Sequence, residues 1–213
     1  MVILVEHDFG GRIDQTALIT NKHNYNFDLK TYYMLYNDVE RRKWQNPEAI
    51  LTDIGVRAGI TFIDVGCGTG FFTFPAARMI GDSGKVFALD INANLIARLQ
   101  EQAKIEHINN LSASVGKAED LVLCNQCADI VFYGIVLHDF QNAARVLENA
   151  KQMVKASGRL VNLDWKKKPM DFGPPLKIRF DEQTAADLIK SAGFKVESTK
   201  DNEPYHYMIT ARP

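Results

Sequence analysis

Three glycines at alternate positions follow one carboxylate and precede another in the first half of the chain. Gly66, Gly68 and Gly70 form a short loop, with Asp64 just before it and Asp90 further along. Glycine takes positive φ angles and leaves room for a ligand, and successive N–H groups at a helix start attract an anionic group. A carboxylate at the end of a strand can accept hydrogen bonds from both hydroxyls of a ribose. This combination predicts a site for a ligand that contains a nucleoside.

The segments around the loop predict the element that holds it. Ile60–Val65 is a nearly continuous apolar run, as expected for a strand buried on both faces, and Phe71–Ile80 has an amphipathic helical pattern. A second apolar run, Lys85–Leu89, ends at Asp90. Strand, glycine loop, helix, strand and acid are the parts of a βαβ unit that binds a nucleoside-containing cofactor. The alternative is a glycine turn that only joins a strand to a helix.

The residues that flank the loop discriminate between kinds of cofactor. A dinucleotide loop follows the pattern G-x-G-x-x-G/A, and the sixth position of that frame is Phe71, whose ring would crowd a pyrophosphate. Asp64 places a negative charge beside the loop, which suits an ammonium group and disfavours a diphosphate. We therefore expect a nucleoside that carries an amino acid in preference to a dinucleotide.

The loop also carries a family motif. Asp64, Gly66, Gly68 and Gly70 match the pattern D/E-x-G-x-G-x-G, and the sequence thereby resembles the class I S-adenosylmethionine-dependent methyltransferases. The likeness covers residues 46–194 and is to the superfamily of the ubiquinone/menaquinone-biosynthesis and arsenite methyltransferases. It implies S-adenosylmethionine as the cofactor, with the methionine end over the loop, Asp64 near the amino group and Asp90 on the ribose.

The resemblance implies further cofactor contacts through weaker motifs. In the family, the loop after the third strand commonly reads G-D-A, and its aspartate accepts from the adenine amino group. Lys117 occupies that position here, and a lysine cannot accept. We therefore assign the adenine contact to Glu119, for which a solvated loop residue is the alternative. The other predicted cofactor contacts are Cys67, Ile91, Ala118 and Tyr133.

His138, Asp139 and Trp165 are the candidate catalytic and substrate-binding residues. Methyl transfer from a sulfonium requires alignment and exclusion of water more than covalent help from the protein. His138, just beyond the fourth predicted strand, is the best-placed general base because its unperturbed pKa lies near neutrality, and packing without titration is its alternative. Asp139 could orient His138 or bind a cationic substrate. Trp165 follows directly after the fifth predicted strand, where it either faces the cleft or fills the core.

Strand and helix patterns alternate through the middle of the chain, which requires parallel pairing with crossover helices on both faces. The predicted fold is a Rossmann-like, doubly wound α/β sheet, mostly parallel, with its site at the carboxyl ends of the strands. Phe194–Thr199 and Tyr205–Ala211 predict a C-terminal antiparallel hairpin. The family resemblance makes this hairpin the reversed edge of a seven-stranded sheet. We expect one methyltransferase domain, with residues 1–45 as an N-terminal helical lid and residues 46–213 as the cofactor-binding core.

The bulk composition is that of an ordinary globular protein. The chain has 213 residues, of which 46% are hydrophobic, and a formal net charge of -1, so nothing in it suggests a nucleic-acid partner. It has no apolar stretch long enough to span a bilayer and no secretory signal pattern, so we expect no membrane partner and a cytoplasmic location. The near-neutral charge and short caps favour a small-molecule substrate. The oligomeric state stays open.

The three cysteines, Cys67, Cys124 and Cys127, are an odd number and do not suggest a disulfide framework. Cys124 and Cys127 have C-x-x-C spacing, but no second pair or histidine pair accompanies them, so we predict no metal site. Two small residues that enter a buried strand are the expected explanation.

One leading hypothesis and two alternatives follow. The leading hypothesis is a methyltransferase that transfers a methyl group from S-adenosylmethionine to a small molecule. An NAD(P)-binding Rossmann oxidoreductase is the alternative from another class, and Phe71 and Asp64 argue against it. The third possibility is a protein that binds S-adenosylmethionine without catalysing a reaction.

Overall fold

The computed structural model describes residues 19–20, 26–27, 34–35 and 37–213. The first two of these ranges, Ile19–Thr20 and Asn26–Phe27, pair as a short antiparallel ladder. Most of the predicted N-terminal lid, residues 1–45, lies outside the described residues. The described part of it includes helix α1, Asp38–Arg42.

A seven-stranded sheet forms the centre of the molecule. The strands are β1 (Thr61–Val65), β2 (Lys85–Asp90), β3 (Leu111–Val115), β4 (Ala128–Gly134), β5 (Val154–Trp165), β6 (Lys195–Asn202) and β7 (His206–Arg212). They lie in the order β3-β2-β1-β4-β5-β7-β6, with β1 to β5 parallel and β7 antiparallel to both neighbours. This confirms the predicted α/β sheet with its C-terminal hairpin. Strand β7 is inserted between β5 and β6, so the reversed strand is internal and β6 forms the edge.

Asparagine and aspartate side chains cap most of the main helices, whereas the helix Thr73–Ile80 has no side-chain cap. Asn46 accepts the N–H of Ala49 at 3.0 Å, and Pro47 suits the first turn because it lacks an N–H that would stay unpaired. Asp181 accepts the N–H of Thr184 at 2.7 Å and so caps the last helix.

Within the described part of the chain, no helix combines the length and apolar character needed to cross a bilayer. The helices after α1 are α2 (Pro47–Asp53), α3 (Thr73–Ile80), α4 (Ala93–Ile105), α5 (Ala143–Met153) and α6 (Glu182–Ser191).

The alternation of side chains along the strands divides the core into two layers. In β1, Phe62 packs in the layer that contains α2 and α3, whereas Ile63 and Val65 pack in the layer that contains α5 and α6. In β4, Phe132 and Tyr133 likewise belong to opposite layers. Since both faces of these central strands are covered, their sequences are mostly apolar.

The loop before β4 is closed by a disulfide between Cys124 and Cys127. This corrects the expectation that these cysteines only enter a buried strand. Their Cα atoms are 5.9 Å apart, within the range that a disulfide needs, and Gln126 between them takes a left-handed φ of 46° that tightens the turn. Among the described residues, no three His, Cys, Asp or Glu side chains come together to suit a metal ion.

Phe132 at the centre of β4 tests this packing. Its ring is fully buried, and its centroid lies 4.9 Å from that of Phe72 and 5.7 Å from that of Phe62. Phe132→Ala should leave a cavity and lower the free energy of unfolding by about 3–5 kcal/mol in urea denaturation. The control is Ile105→Ala at the end of α4, where the side chain is 62% exposed and the change should stay within about 0.5 kcal/mol. Equal losses in the two variants would contradict the described core.

Candidate cofactor and acceptor site

Two glycines of the loop between β1 and α3 differ in their surroundings: Gly66 packs closely against a side chain, and Gly68 faces open space. Gly66 has a φ of 75°, and a Cβ there would lie 2.5 Å from Cγ2 of Val136, so the close approach excludes a side chain. Gly68 has a φ of 56°, yet a Cβ there would meet no atom within 4 Å. The face above Gly68 is therefore open, and a ligand can lie against the backbone there.

Asp90 joins the glycine loop to the end of β2. Its Oδ2 accepts the N–H of Gly68 at 3.0 Å, and its Oδ1 accepts the N–H of Asn92 at 2.7 Å. A carboxylate can accept about four hydrogen bonds, so these contacts orient Asp90 and are compatible with contacts to ribose hydroxyls. Ile91 is 44% exposed and offers an apolar surface beside it. The predicted contacts Asp90 and Ile91 therefore meet at the open edge of the loop.

Asp64 is buried at the end of β1. Its Oδ2 accepts a hydrogen bond from Oγ1 of Thr73 at 2.6 Å, which ties β1 to the first turn of α3. Burial raises the pKa of Asp64 to about 6, against the opposing effects of Thr73 and the nearby Arg41. The contact with the cofactor amino group stays a prediction. Cys67 is also buried, and it belongs to a small core cluster with Ile96 of α4.

Arg41 of α1 reaches the glycine loop, a contact that was not predicted from the sequence. Its guanidinium carbon lies 3.9 Å from the centroid of the Phe71 ring, and its Nε donates to Oε1 of Gln45 at 2.8 Å. Phe71 is buried, so the ring that was expected to crowd a pyrophosphate packs against Arg41. A contact between a cation and a ring that are distant in the chain leaves no periodic signal in the sequence.

The loop after β3 lies against Asp90 and is held by Asn149 of α5. Its first residue donates an N–H to the carbonyl of Asp90 at 3.0 Å. Nδ2 of Asn149 donates to the carbonyls of Ala118 and Glu119, both at 2.9 Å. Oε1 of Glu119 accepts the N–H of Asn142 at 3.4 Å. Ala118 and Glu119 are thus close to the end of β2, and their contact with adenine stays a prediction.

Tyr133 lies in the core and not at the cleft. Its side chain is fully buried, its hydroxyl donates to the carbonyl of Val146 in α5 at 3.2 Å, and burial raises its pKa. The sequence around it is apolar throughout, so it does not show which face of β4 carries each side chain. The structure gives the Tyr133 side chain no direct access to a cofactor.

His138 is buried on the 3₁₀ turn Leu137–Asp139 that follows β4. Its Nδ1 lies 2.7 Å from Oδ1 of Asp164, and its Nε2 lies 3.5 Å from Oδ1 of Asp139. Burial alone would lower the pKa of His138, but the two carboxylates outweigh burial and raise the pKa to about 9. His138 is therefore an imidazolium at neutral pH with no lone pair to take a proton, which argues against its predicted role as a general base.

Trp165 belongs to a group of five aromatic rings at the end of β5, which we call the aromatic cluster. Trp165 and His206 are register partners on β5 and β7, and their ring centroids are 4.5 Å apart. Trp44, which follows α1, stacks on His206 at 5.7 Å with an angle of 19° between the ring planes. The cluster consists of Trp44, Trp165, Phe172, Tyr205 and His206. The backbone N–H of Trp165 donates to Oδ1 of Asp164, and the same oxygen pairs with His138, so the cluster is connected to His138 through Asp164.

Arg179 organises the loop of residues 166–180, which contributes Phe172 to the aromatic cluster. Its guanidinium donates to the carbonyls of Pro174 at 2.7 Å and Lys166 at 3.2 Å and lies 5.4 Å from the Trp165 ring. A cavity of about 290 Å³ lies between Arg179 and residues 168–176. Space for part of a ligand therefore adjoins the cluster.

A second cavity, of about 400 Å³, adjoins the glycine loop between α1, α3 and α4. Thr69 and Gly70 line it, but Gly68 and Asp90 do not. Its charged lining carries both signs, from Arg42, Arg78, Arg98, Asp38 and Glu106. The predicted cofactor contacts Gly68 and Asp90 therefore lie outside the lining of this cavity.

A glycine loop between parallel strands, an acid at the end of the next strand and an internal reversed strand together define the fold of S-adenosylmethionine-dependent methyltransferases. Residues 57–208 match the family model described as "Methyltransferase domain", and the chain belongs to this methyltransferase family. S-adenosylmethionine is therefore its cofactor, and the open face above Gly68 with the Asp90 carboxylate beside it fits that molecule.

Individual relatives agree with this assignment. The ubiquinone/menaquinone biosynthesis C-methyltransferase UbiE of Coxiella burnetii is 28% identical over 209 residues, which cover 94% of this chain and 80% of that protein. A SAM-dependent methyltransferase from Aquifex aeolicus superimposes with a TM-score of 0.76 at 26% identity, covering 80% of this chain and 91% of that one. An arsenic (III) S-adenosylmethionine methyltransferase from Chlamydomonas reinhardtii shares the fold, with a TM-score of 0.59 at 17% identity over 75% of this chain and 64% of that one. The predicted methyltransferase class is confirmed, and the oxidoreductase alternative receives no support.

Asp90→Ala tests the ribose assignment. Because hydrogen bonds to a charged acceptor are worth about 1.5–3 kcal/mol, the substitution should weaken S-adenosylmethionine and its demethylated product by about 10- to 100-fold in titration calorimetry. Asp82→Ala removes the same charge from an exposed turn after α3 and should change the affinity by less than about twofold. Unchanged affinity in Asp90→Ala would remove the assignment.

His138→Gln should change how stability depends on pH. The folded pKa of about 9 lies above the unfolded value of about 6.5. The ion pair with Asp164 therefore contributes fully below about pH 6.5, and its contribution is lost as the pH rises through 9. The free energy of unfolding of the wild type minus that of His138→Gln, from urea denaturation, should fall over this range. Asp164→Asn breaks the same pair, so the difference in free energy of unfolding between the wild type and this variant should fall in the same way. If the free energies of unfolding of all three proteins changed in parallel with pH, the ion pair would be contradicted.

Proposed function

We propose that this S-adenosylmethionine-dependent methyltransferase acts on a small planar molecule and methylates a ring carbon of a quinol. The observation that carries the proposal is the aromatic cluster at the carboxyl end of β5, because flat rings bind against aromatic faces. The UbiE relative, named for quinone biosynthesis and C-methylation, supports the same acceptor class. One domain over residues 1–213 and a cytoplasmic location are part of this proposal.

The charge around the aromatic cluster favours a neutral or anionic acceptor over a cationic one. Burial, together with the positive charges of Arg41, Lys166, Arg179 and His138, lowers the pKa of His206 well below its ordinary value. A cationic amine would add to this positive charge at close range. The predicted role of Asp139 in binding a cationic substrate therefore receives no support.

Each part of the site has a separate task in this proposal. When bound, S-adenosylmethionine supplies a methyl group on a sulfonium, so that a new carbon–carbon bond forms as the carbon–sulfur bond breaks, its electron pair goes to sulfur, and the ring proton leaves to water. Asp90 and the glycine loop hold the nucleoside end, and the aromatic cluster orients the acceptor ring. The His138–Asp164 ion pair fixes the ends of β4 and β5 relative to each other. Base catalysis by His138 is not required.

The acceptor proposal predicts turnover on a short-chain naphthoquinol that lacks the ring methyl group. With S-adenosylmethionine, the wild type should add one methyl group to its ring, as seen by mass spectrometry, and Asp90→Ala should do so much more slowly. The oxidised naphthoquinone is the control ligand and should stay unmethylated, because its electron-poor ring carbon is not a nucleophile. Binding of S-adenosylmethionine without methylation of either the naphthoquinol or a benzoquinol would contradict the acceptor class.

A further inference from the structure

Buried polar atoms without a partner surround the aromatic cluster. Among the residues that the structure describes, Nε1 of Trp44, Nε2 of Gln45, Nε2 of His206 and Oδ2 of Asp164 have no hydrogen-bond partner. Gln45, His206 and Asp164 are 3%, 2% and 1% exposed, so solvent at the surface does not satisfy them. Leaving such groups unpaired costs free energy, and a bound ligand or an ordered water is the usual partner.

These four residues form one contiguous group. Trp44 stacks on His206, and Gln45 is the next residue in the chain after Trp44. The ring of His206 contacts that of Trp165, and the backbone N–H of Trp165 donates to Oδ1 of Asp164 at 2.8 Å. Since Arg41 connects Gln45 to Phe71 of the glycine loop, the group lies between the cofactor loop and the end of β5. That is the position of a methyl acceptor in the proposed function.

The chemistry of the donors defines what they bind. The indole nitrogen of Trp44 and the amide nitrogen of Gln45 can only donate, so their partner must be an acceptor atom such as an oxygen. The Oε1 of Gln45 already accepts from Arg41, which fixes its amide with the nitrogen as the remaining group. His138 and Lys166 are ion-paired with carboxylates, so the positive charge that favours an anionic oxygen comes from Arg41 and Arg179. Two neutral donors in a positive environment are suited to a phenolate or enolate oxygen.

We propose, building on the proposed function, that Trp44 and Gln45, with His206 beside them, hold the ring oxygen of the methyl acceptor as a phenolate. The acceptor hydroxyl loses its proton to water when it binds, and the two N–H groups stabilise the resulting anion. A phenolate delivers more electron density to the neighbouring ring carbon than a phenol does. The donor set thereby provides the activation for which the sequence suggested a general base at His138.

The test uses 1-naphthol as the probe and 1-methoxynaphthalene, which cannot ionise, as its matched control ligand. In the presence of the demethylated cofactor, the wild type should bind 1-naphthol at least about tenfold more tightly than the ether, because only the naphthol forms a charged hydrogen bond. The absorption spectrum of bound naphthol at neutral pH should be that of the naphtholate. Equal binding of the two ligands, or a spectrum of un-ionised naphthol, would overturn the proposal.

Two variants separate the donors from the packing. Gln45→Glu keeps the oxygen that accepts from Arg41 but replaces the donor with a negative oxygen, and Trp44→Phe keeps an aromatic ring but removes the N–H. Both should lose most of the preference for naphthol and leave the affinity for S-adenosylmethionine unchanged. Gln152→Glu makes the same charge change at an exposed position and should behave like the wild type. Retention of the full preference in both variants would overturn the proposal.

The naphthol-binding and quinol-methylation experiments distinguish a wrong acceptor class from a wrong donor set. When the naphthol preference depends on Trp44 and Gln45 but no quinol is methylated, the donor set stands and the quinol acceptor is wrong. When a quinol is methylated at the same kcat/KM and with the same pH profile by the wild type and by Gln45→Glu, the acceptor class stands and the donor set is wrong.

Discussion

The carboxylate of Asp90 is the contact on which the candidate cofactor site depends. It accepts the N–H of Gly68 in the loop and the N–H of Asn92, the residue that caps α4. One side chain therefore fixes the end of β2, the glycine loop and the start of α4 relative to one another. The open face above Gly68 is defined by this arrangement together with the close approach of Val136 to Gly66.

The two buried histidines near the end of β5 differ in charge because the charges beside them differ in sign. His138 faces the carboxylates of Asp164 and Asp139, which hold it protonated despite its burial. His206 faces cations, so burial and charge act in the same direction and keep it neutral. The same edge of the sheet thus holds the charged His138–Asp164 pair and the neutral His206. Neither charge state follows from the residue type alone.

The βαβ unit and the mostly parallel sheet were predictable because their signals are local. The apolar run of β1, the spacing of the glycines and the position of Asp90 each follow from the properties of a short segment. Contacts between distant segments were not predictable, which is why Arg41 was missed. For Tyr133, a strand buried on both faces has no polar side to mark its orientation. For the cysteines, the C-x-x-C spacing suits several chemistries, and only the turn at Gln126 brings them into a disulfide.

The placement of β7 between β5 and β6 has a consequence for how the chain is assembled. A ribosome makes β6 before β7, yet among the strands that the structure describes β6 pairs only with β7. While the nascent chain grows, β6 therefore has no strand to bind, and its alternating, strongly charged sequence keeps it from pairing with other chains in that interval. β6 can therefore join the sheet only after β7 has been made.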